Sequence, residues 1–248
     1  AQLLAEGLDE LDAPPDTKGR LQRRLASLRR EIDRLRDILT DFLAYAGELR
    51  LDTRQADLNA VVDEMVDFFL PQAQKQGVRL RAELAPGPLR AALDVNHAKQ
   101  AILNLMLNAT QAMAGPSGGS VPAAGAPSGS ASSGGAADAA TAPVTRPREL
   151  ILRTARAPDP DARPCVALHV IDTGPGIDPA TRAKLFRPYF TTKSGGTGLG
   201  LPTTRRIVEA HAGRIELHTE PGRGSDFTLY FPDLDAPALP ERRPARAR

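Results

Sequence analysis

The chain has 248 residues, enough for one or two domains with a hydrophobic core, and its 32 Lys and Arg nearly balance its 30 Asp and Glu. With this balance, no overall charge attracts the chain to nucleic acid or to a membrane surface. No run approaches the ~20 apolar residues of a membrane span, and the single cysteine, Cys165, excludes an internal disulfide. The single cysteine fits a reducing cytoplasm, where we expect the chain to lie. The sequence starts with Ala1 in a stretch that reads as the end of a helix, so we expect a fragment of a longer protein; a membrane anchor upstream stays open.

A long amphipathic helix is predicted first. Apolar residues recur at alternating steps of four and three: Leu21, Leu25, Leu28, Ile32, Leu35, Leu39, Phe42, Ala46 and Leu49. One narrow apolar stripe of this kind needs helical partners. We predict that residues 1–50 form a dimerisation and phosphotransfer hairpin, with a turn at 12–19, and that two chains form a homodimeric four-helix bundle. Packing of the helix within its own chain is the alternative.

Residues 51–232 are predicted to form one domain of class α+β, a two-layer α/β sandwich with a mixed sheet and helices on one face. Helices are expected over residues 57–75, 95–113, 178–186 and 202–210, and strands at VRLRAEL, ELILRTAR, CVALHVID, RIELHT and SDFTLYF. Residues 115–147 are almost wholly Ala, Gly, Ser and Pro and are predicted to be a disordered insertion, and residues 233–248 a flexible Pro/Arg tail.

Three polar clusters are candidates for chemistry. On the helix over 95–113, Asn104, Asn108 and Gln111 share one face, and amide oxygens are neutral, hard ligands for Mg²⁺ beside phosphates. A water-bonded polar face is the alternative for this helix. At the end of a strand, Asp172 precedes Gly174 and Gly176, and its carboxylate can accept a hydrogen bond from an adenine amine. A plain turn is the alternative there.

The third cluster is the glycine-rich segment over residues 190–202, which has four glycines in six positions and leads into a helix. The first-turn amides of such a helix suit a phosphate, and Lys193 is a candidate contact to the terminal phosphate. The segment is not a Walker A loop, because GxxxxGK[ST] does not occur in the sequence. A flexible surface loop is the alternative.

Taken in order, these segments resemble a known family. The segments are similar to the N, G1, F and G2 boxes of sensor histidine kinases of two-component systems, which belong to the GHKL superfamily. They read NHAKQAILNLMLNATQAM, VIDTGPGI, LFRPYFTTK and GGTGLGLPTTRRIVEAHAGRIEL, with GRGSDFTLYFP at the end. The TTK variant is most similar to nitrogen-regulation-type sensor kinases. The resemblance implies that ATP and Mg²⁺ bind between the asparagine helix and the glycine-rich lid, and that a phosphoryl group passes to a histidine and then to a response-regulator receiver domain.

By position, the resemblance implies that Asn108 and Asn104 hold Mg²⁺ and that Asp172 binds adenine. It implies an ATP-binding set of Asn104, Asn108, Gln111, Asp172, Gly174, Gly176, Ile177, Thr192, Lys193, Gly196, Thr197, Gly198, Leu199, Gly200 and Ser225. The family's phosphoacceptor histidine stands in an HE-type motif, which residues 1–50 lack, so we expect the acceptor upstream and no autophosphorylation by this chain alone. The four histidines, His97, His169, His211 and His218, are predicted to be structural or surface residues.

Two other functions stay open. ATP hydrolases of the superfamily place a water-activating glutamate one turn before the metal-binding asparagine, where this chain has Asn104, and a carboxamide is not a general base. A non-catalytic module that binds ATP and holds a partner is the second alternative.

Overall fold

The computed structural model describes residues 15–47, 49–114, 147–193 and 196–236. The first arm of the predicted hairpin, all but the last residue of the predicted insertion and most of the predicted tail lie outside the described residues. The chain forms two compact units, one from Ala1–Glu48 and Leu185–Thr203 and the other from Leu49–Lys184 and Thr204–Arg248.

The first unit contains one long helix, α1, Pro15–Ala46. The predicted turn at 12–19 is wrong over its described part, because Pro15 begins the helix; proline is tolerated there, where its missing N–H has no helical acceptor. The apolar stripe of α1 is exposed, with 60% exposure at Leu28, 63% at Ile32 and 58% at both Leu35 and Leu39. The pairing of this stripe in a homodimeric bundle stays a prediction.

The second unit carries most of the regular structure. Its strands and helices, with α5 beginning in the first unit, are β1 (Arg54–Asp57), α2 (Leu58–Lys75), β2 (Arg79–Glu83), β3 (Arg90–Leu93), α3 (Val95–Ala114), β4 (Glu149–Pro158), β5 (Pro164–Asp172), α4 (Pro179–Arg182), α5 (Gly200–Ala210), β6 (Arg214–Glu220) and β7 (Gly224–Pro232).

Five strands form a mixed sheet in the order β2-β4-β5-β7-β6, in which β2 runs parallel to β4 and the other pairs are antiparallel. This confirms the predicted mixed sheet and its closing hairpin. A second, two-stranded sheet pairs β1 with β3 and was not predicted. Each of these strands has four residues, RQAD and RAAL, and neither carries the alternation of large apolar side chains that reveals a strand.

The core lies between the helices and the sheet. The α2 face with Val61, Val62, Met65 and Phe69 is buried. So is the α3 face opposite the three amides, with Ala101, Ile102, Leu105 and Ala109. Alternate residues of β4 and β5 are buried as well, among them Leu150, Leu152, Leu168 and Val170. Packing one helical layer on a sheet gives the predicted two-layer sandwich.

Two helix boundaries differ from the prediction. Asp178 caps α4 by accepting a hydrogen bond from the Thr181 N–H at 2.9 Å, but the helix ends at Arg182, not near Phe186. The Lys184 N–H donates to the Thr181 carbonyl at 2.9 Å, a three-residue spacing that tightens the last turn and ends the helix. At α5 the helix starts at Gly200, not at Pro202, since the proline is accommodated in the first turn.

No helix within the described part of the chain is both long and apolar enough to cross a membrane.

Candidate functional site

The amide face of α3 is the first feature of the candidate site. Asn104 and Asn108 are half-buried and Gln111 is exposed, so this face is neither core nor fully solvated. The Asn104 side-chain amide donates to the Thr204 hydroxyl of α5 at 3.5 Å, which is a long hydrogen bond. Thr204 is itself fully buried. The asparagine helix is therefore tied to the helix that follows the glycine-rich segment.

The carboxylate of Asp172 lies at the end of β5, in the middle of the sheet. It is 5% exposed, and its residue pairs with Leu150 on one side and Ser225 on the other. One carboxylate oxygen, Oδ1, accepts a hydrogen bond from the Gly174 N–H at 2.8 Å. This bond fixes the side chain beside the turn that follows the strand.

Gly174 brings this carboxylate and the asparagine helix together. A Cβ at position 174 would lie 2.7 Å from Asp172 Oδ1, 3.5 Å from Met113 Cγ and 3.7 Å from Ala112 Cβ. Ala112 is one helical turn after Asn108, so the two side chains share a side of α3. The strand-end carboxylate and the C-terminal turns of the amide-bearing helix are therefore close neighbours.

The turn after Asp172 packs against the β6–β7 turn. Gly176 has φ +69°, and a Cβ there would lie 2.1 Å from the Glu220 carbonyl oxygen. The Gly222 N–H donates to the Pro175 carbonyl at 2.6 Å, and the Ile177 N–H donates to the Thr219 hydroxyl at 3.0 Å. The protein's own backbone therefore requires glycine at 176, a residue that the resemblance placed in the ATP-binding set.

A pair of hydroxyl groups adjoins this turn. Ser225 is buried, and its Oγ lies 3.0 Å from Oγ1 of Thr219, which donates to the Gly224 carbonyl at 2.9 Å. The sequence pointed to Ser225 but missed Thr219. The pairing of β6 with β7 could have revealed Thr219, because it places this residue directly opposite Ser225.

The glycine-rich segment belongs to the first unit. The N–H of Tyr189, the residue just before the segment, donates to the Gly198 carbonyl within it at 3.1 Å. Gly198 has φ +69°, and a Cβ there would lie 2.5 Å from the Tyr189 carbonyl carbon, so only glycine fits. Between them, the Lys193 N–H donates to the Thr191 hydroxyl at 3.1 Å.

The predicted lid residues differ in environment. Thr192 and Gly196 are exposed, and Leu199 is buried. Intermediate burial is found at Lys193, Thr197, Gly198 and Gly200. Gly200 is the first residue of α5. The Thr197 hydroxyl accepts a hydrogen bond from the Leu199 N–H at 3.3 Å. Their placement against Asn104, Asn108 and Asp172 stays a prediction.

The start of α3 is fixed by Asp94, a residue that the sequence did not single out. Its Oδ1 accepts hydrogen bonds from the backbone N–H groups of Asn96 at 3.1 Å and His97 at 3.2 Å, so it caps the helix. Its Oδ2 accepts from the Asp52 N–H at 3.0 Å and lies 2.9 Å from His97 Nδ1. Burial alone would raise the pKa of Asp94, but the hydrogen bonds from Asp52 and His97 lower it to about 2.

His211 completes this cluster from the end of α5. Its imidazole is buried, accepts a hydrogen bond from the Asp94 N–H at Nε2 (2.9 Å), and donates from Nδ1 to the Ile207 carbonyl (2.7 Å). Those two partners define a neutral ring with its proton on Nδ1. The ring edge also contacts Phe231, with centroids 5.8 Å apart. His211 is a structural residue, as predicted.

The other three histidines also fit the prediction. His97 pairs with Asp94, and His169 Nδ1 lies 3.0 Å from Asp226 Oδ2 on the neighbouring strand. His218 is exposed on β6. Cys165 is buried, and this burial raises the pKa of its thiol.

The donor groups suit magnesium better than a softer metal. Among residues 15–47, 49–114, 147–193 and 196–236, no group of three or more His, Cys, Asp and Glu side chains is arranged to hold a metal ion. Asn104 and Asn108 provide amide oxygens, which fit a hard cation that keeps water and phosphate oxygens as its remaining ligands. The residues present therefore fit Mg²⁺ carried with a nucleotide.

Comparison with known proteins gives one family. The model of the family described as "Histidine kinase-, DNA gyrase B-, and HSP90-like ATPase" matches residues 93–235. The sensor histidine kinase ZraS of Klebsiella oxytoca is 30% identical over 203 residues, which cover 82% of this chain and 36% of ZraS. The sensory histidine kinase/phosphatase NtrB of Escherichia coli O157:H7 is 29% identical over 237 residues, which cover 94% of this chain and 56% of NtrB.

Solved structures share the fold. Full-length ShkA in complex with AMPPNP superposes with a TM-score of 0.64 at 20% identity, over 93% of this chain and 42% of ShkA. The histidine kinase ThkA in complex with the response regulator protein TrrA gives a TM-score of 0.61 at 23% identity, over 97% of this chain and 57% of the matched one. This chain thus spans little more than half the length of these proteins, or less.

Proposed function

This chain belongs to the family of histidine kinase-, DNA gyrase B-, and HSP90-like ATPases, and from that premise we propose that it is the catalytic core of a sensor histidine kinase. In this proposal it binds ATP with Mg²⁺ and transfers the γ-phosphoryl group to a histidine outside these 248 residues. The similarity to ZraS and NtrB, both named as histidine kinases, supports this choice within the family.

One observation carries the proposal: the buried Asp172 carboxylate lies beside Gly174, and a Cβ there would be within 3.7 Å of α3, one turn beyond Asn108. A buried carboxylate at a strand end can accept a hydrogen bond from an exocyclic amine, as in adenine. An amide face on the adjacent helix can hold the cation that accompanies the phosphates. We assign adenine binding to Asp172, with Gly174, Gly176, Ile177 and Ser225 shaping the site around it.

Asn108 and Asn104 are the proposed ligands of Mg²⁺, and Gln111 extends the same polar face. When bound, Mg²⁺ neutralises charge on the transferring phosphate. The amide oxygens orient the cation without adding negative charge beside the phosphates. We assign the phosphate contacts to the glycine-rich segment, with Lys193 at the terminal phosphate and the first-turn amides of α5 beside it, in the set Thr192, Lys193, Gly196, Thr197, Gly198, Leu199 and Gly200.

Phosphoryl transfer is favoured over ATP hydrolysis by the side chain at 104. Hydrolysis needs a base to activate water, and the Asn104 carboxamide, which donates to the Thr204 hydroxyl, cannot accept a proton in that role. Transfer to a histidine depends mainly on positioning and charge neutralisation, which amides and a cation provide.

Two partners belong to the proposal. The exposed stripe of α1 is proposed to pair with a second copy of the chain, because an amphipathic helix of this length needs apolar partners. The second partner is a response-regulator receiver domain, which would accept the phosphoryl group from the histidine; the complex of ThkA with the response regulator protein TrrA supports this assignment.

Transfer to an isolated acceptor tests the proposal. The chain is mixed with γ-labelled ATP, Mg²⁺ and a helical-hairpin fragment that carries a sensor-kinase phosphoacceptor histidine. A fragment with glutamine in place of that histidine serves as the control. We expect label on the first fragment only. Tight ATP binding without label would indicate a scaffold, and release of labelled phosphate without transfer would indicate a hydrolase.

A further inference from the structure

Asp94 connects three segments that are distant in sequence. Its side chain caps α3 through Oδ1, and through Oδ2 it accepts the backbone N–H of Asp52 at 3.0 Å. Its own N–H donates to the buried His211 at 2.9 Å. Residues 49–53, which include Asp52, lead from the end of α1 towards β1, and they have no regular structure of their own.

The bonds at Asp94 are those of a fixed junction. The side chain is only 10% exposed, and both of its oxygens are occupied by donors from different segments. Because hydrogen bonds to a buried carboxylate are charge-assisted, they are roughly twice as strong as neutral ones. The lowered pKa of Asp94, about 2, agrees with this stabilisation of its charged form.

The helix α3 connects this junction at Asp94 to the proposed nucleotide site. Asn104 follows Asp94 by ten residues on the same helix, a distance of about 15 Å at the helical rise. Within the segment 49–53, the backbone N–H of Asp52 donates a hydrogen bond to the side chain of Asp94, the same side chain that caps α3. A change in the segment 49–53 therefore acts directly on the N-terminus of the helix that bears Asn104 and Asn108.

We propose that Asp94 is a positioning residue that couples the connecting segment 49–53 to the nucleotide site, by holding the Asp52 N–H and the first turn of α3 on opposite oxygens of one carboxylate. The inference rests on the proposed function, because it assigns a regulatory input to the same site. Coupling is reciprocal: if the Asp52–Asp94 bond tightens nucleotide binding, bound nucleotide must stabilise that bond by the same factor.

Amide hydrogen exchange resolved by residue tests the coupling in the unmodified full chain. The probe is Mg²⁺ with AMPPNP at saturation, and saturation is verified independently by displacement of a fluorescent nucleotide. We expect bound nucleotide to slow exchange of the Asp52 amide by about 5-fold or more, the lower range of allosteric couplings. Unchanged exchange at Asp52 with nucleotide bound would overturn this inference and leave the proposed function standing. Failure of the unmodified chain to bind nucleotide would overturn both.

Two substitutions remove the bond from opposite sides. Asp52→Pro deletes the donor N–H. In Asp94→Asn one carboxamide oxygen can serve either the helix cap or Asp52, but not both. Asp52→Ala is the matched control, because it keeps the backbone donor and removes only the exposed side chain that pairs with Arg54.

We expect Asp52→Pro and Asp94→Asn each to weaken binding of Mg²⁺–AMPPNP by the same factor by which bound nucleotide slows exchange of the Asp52 amide. The double variant should bind no more weakly than either single variant. Asp52→Ala should bind as the unmodified chain does. Weakening by Asp52→Ala equal to that by Asp52→Pro, or additive effects in the double variant, would contradict a role for the Asp52–Asp94 bond. A purely structural role for Asp94 would leave the nucleotide-dependent exchange at Asp52 unchanged.

Discussion

At the residue scale, the Asp172 side chain makes a hydrogen bond within the protein and is also the proposed acceptor for the adenine amine. Its Oδ1 already accepts the Gly174 N–H at 2.8 Å, so the carboxylate is oriented before any ligand arrives. Such preorganisation lowers the cost of binding, since the side chain has little freedom left to lose. The sequence identified this carboxylate from its position after a strand, but it could not show the bond to Gly174, which depends on the turn geometry.

The first prediction concerns this carboxylate. In Asp172→Asn the single carboxamide oxygen can accept either the Gly174 N–H or an adenine amine, but not both. We expect ATP binding to weaken by ~1–3 kcal/mol, or about 10- to 100-fold, in a fluorescent-nucleotide titration. Asp178→Asn is the control, because Asp178 caps α4 and asparagine caps equally well. Equal affinity of Asp172→Asn and the control would refute the adenine role.

The second prediction concerns metal coordination by Asn108. An Asn108→Asp carboxylate keeps the shape of the side chain but places a negative charge beside the phosphates. We expect nucleotide affinity to change little and label transfer to the histidine fragment to fall by at least about 10-fold, because about 1.4 kcal/mol or more of transition-state stabilisation is lost. Asn96→Asp, at the exposed start of α3, is the control. Full transfer by Asn108→Asp would remove Asn108 from the metal site.

The third prediction follows from the pKa of Asp94, which is about 2 against an ordinary value of 3.8. A carboxyl group with a lowered folded-state pKa stabilises the fold above its unfolded pKa, and this stability is lost as the pH falls from about 4 to about 2. The loss is on the order of 1–2 kcal/mol and should appear in urea unfolding at pH 6 and pH 3. Asp94→Asn should lack that part of the pH dependence. An identical pH dependence in both proteins would contradict the assignment.

At the scale of elements, local pattern accounted for the long helices and the large sheet. The helix predicted over residues 57–75, for example, agrees with α2, which Asp57 caps by accepting the Asn59 N–H. The short strands β1 and β3 escaped prediction because their four residues are defined by pairing with each other, which is a non-local contact. Asp94 escaped for the same reason, since its partners Asp52 and His211 lie far away in sequence.

The fourth prediction tests how the turn after β5 is held. A Cβ at Gly176 would lie 2.1 Å from the Glu220 carbonyl oxygen, whereas at Gly87, which also has positive φ, no atom lies within 4 Å. Gly87→Ala should therefore cost about 1 kcal/mol of unfolding free energy from backbone strain alone. Gly176→Ala should cost more than about 3 kcal/mol, because backbone must also move. Similar losses of unfolding free energy in the two variants, measured by denaturant unfolding, would show that the turn after β5 does not contact the β6–β7 turn.

At the scale of the whole molecule, the chain divides into two units, and each unit contains some of the predicted site residues. The second unit contains Asn104, Asn108 and Asp172, and the first contains the glycine-rich segment and α1. The order of the boxes along the sequence indicated the family, and the match over residues 93–235 confirms it. The sequence alone could not give the exposure of α1, because a heptad pattern fits packing within one chain as well as between two chains.

The fifth prediction concerns this exposed stripe. Ile32 is 63% exposed on α1, and Ile32→Asp places a charge in the proposed dimer seam. We expect sedimentation equilibrium to show a shift from dimer to monomer, with nucleotide affinity unchanged. Phe68→Asp is the matched control, because Phe68 is 68% exposed on α2 and is not part of the α1 stripe. A monomeric unmodified chain, or equal dissociation by both substitutions, would rule out this seam.

The central claim, that Asn104, Asn108 and Asp172 hold one metal–nucleotide complex, is tested most directly by replacing Mg²⁺ with paramagnetic Mn²⁺. In the complex with AMPPNP, the side-chain amide resonances of the chain's four asparagines report distance from the metal, because paramagnetic broadening falls steeply with distance. We predict the strongest broadening at Asn108 and Asn104, and weaker broadening at Asn96 and Asn59. Sharp resonances at Asn104 and Asn108 with the metal–nucleotide complex bound would contradict the account.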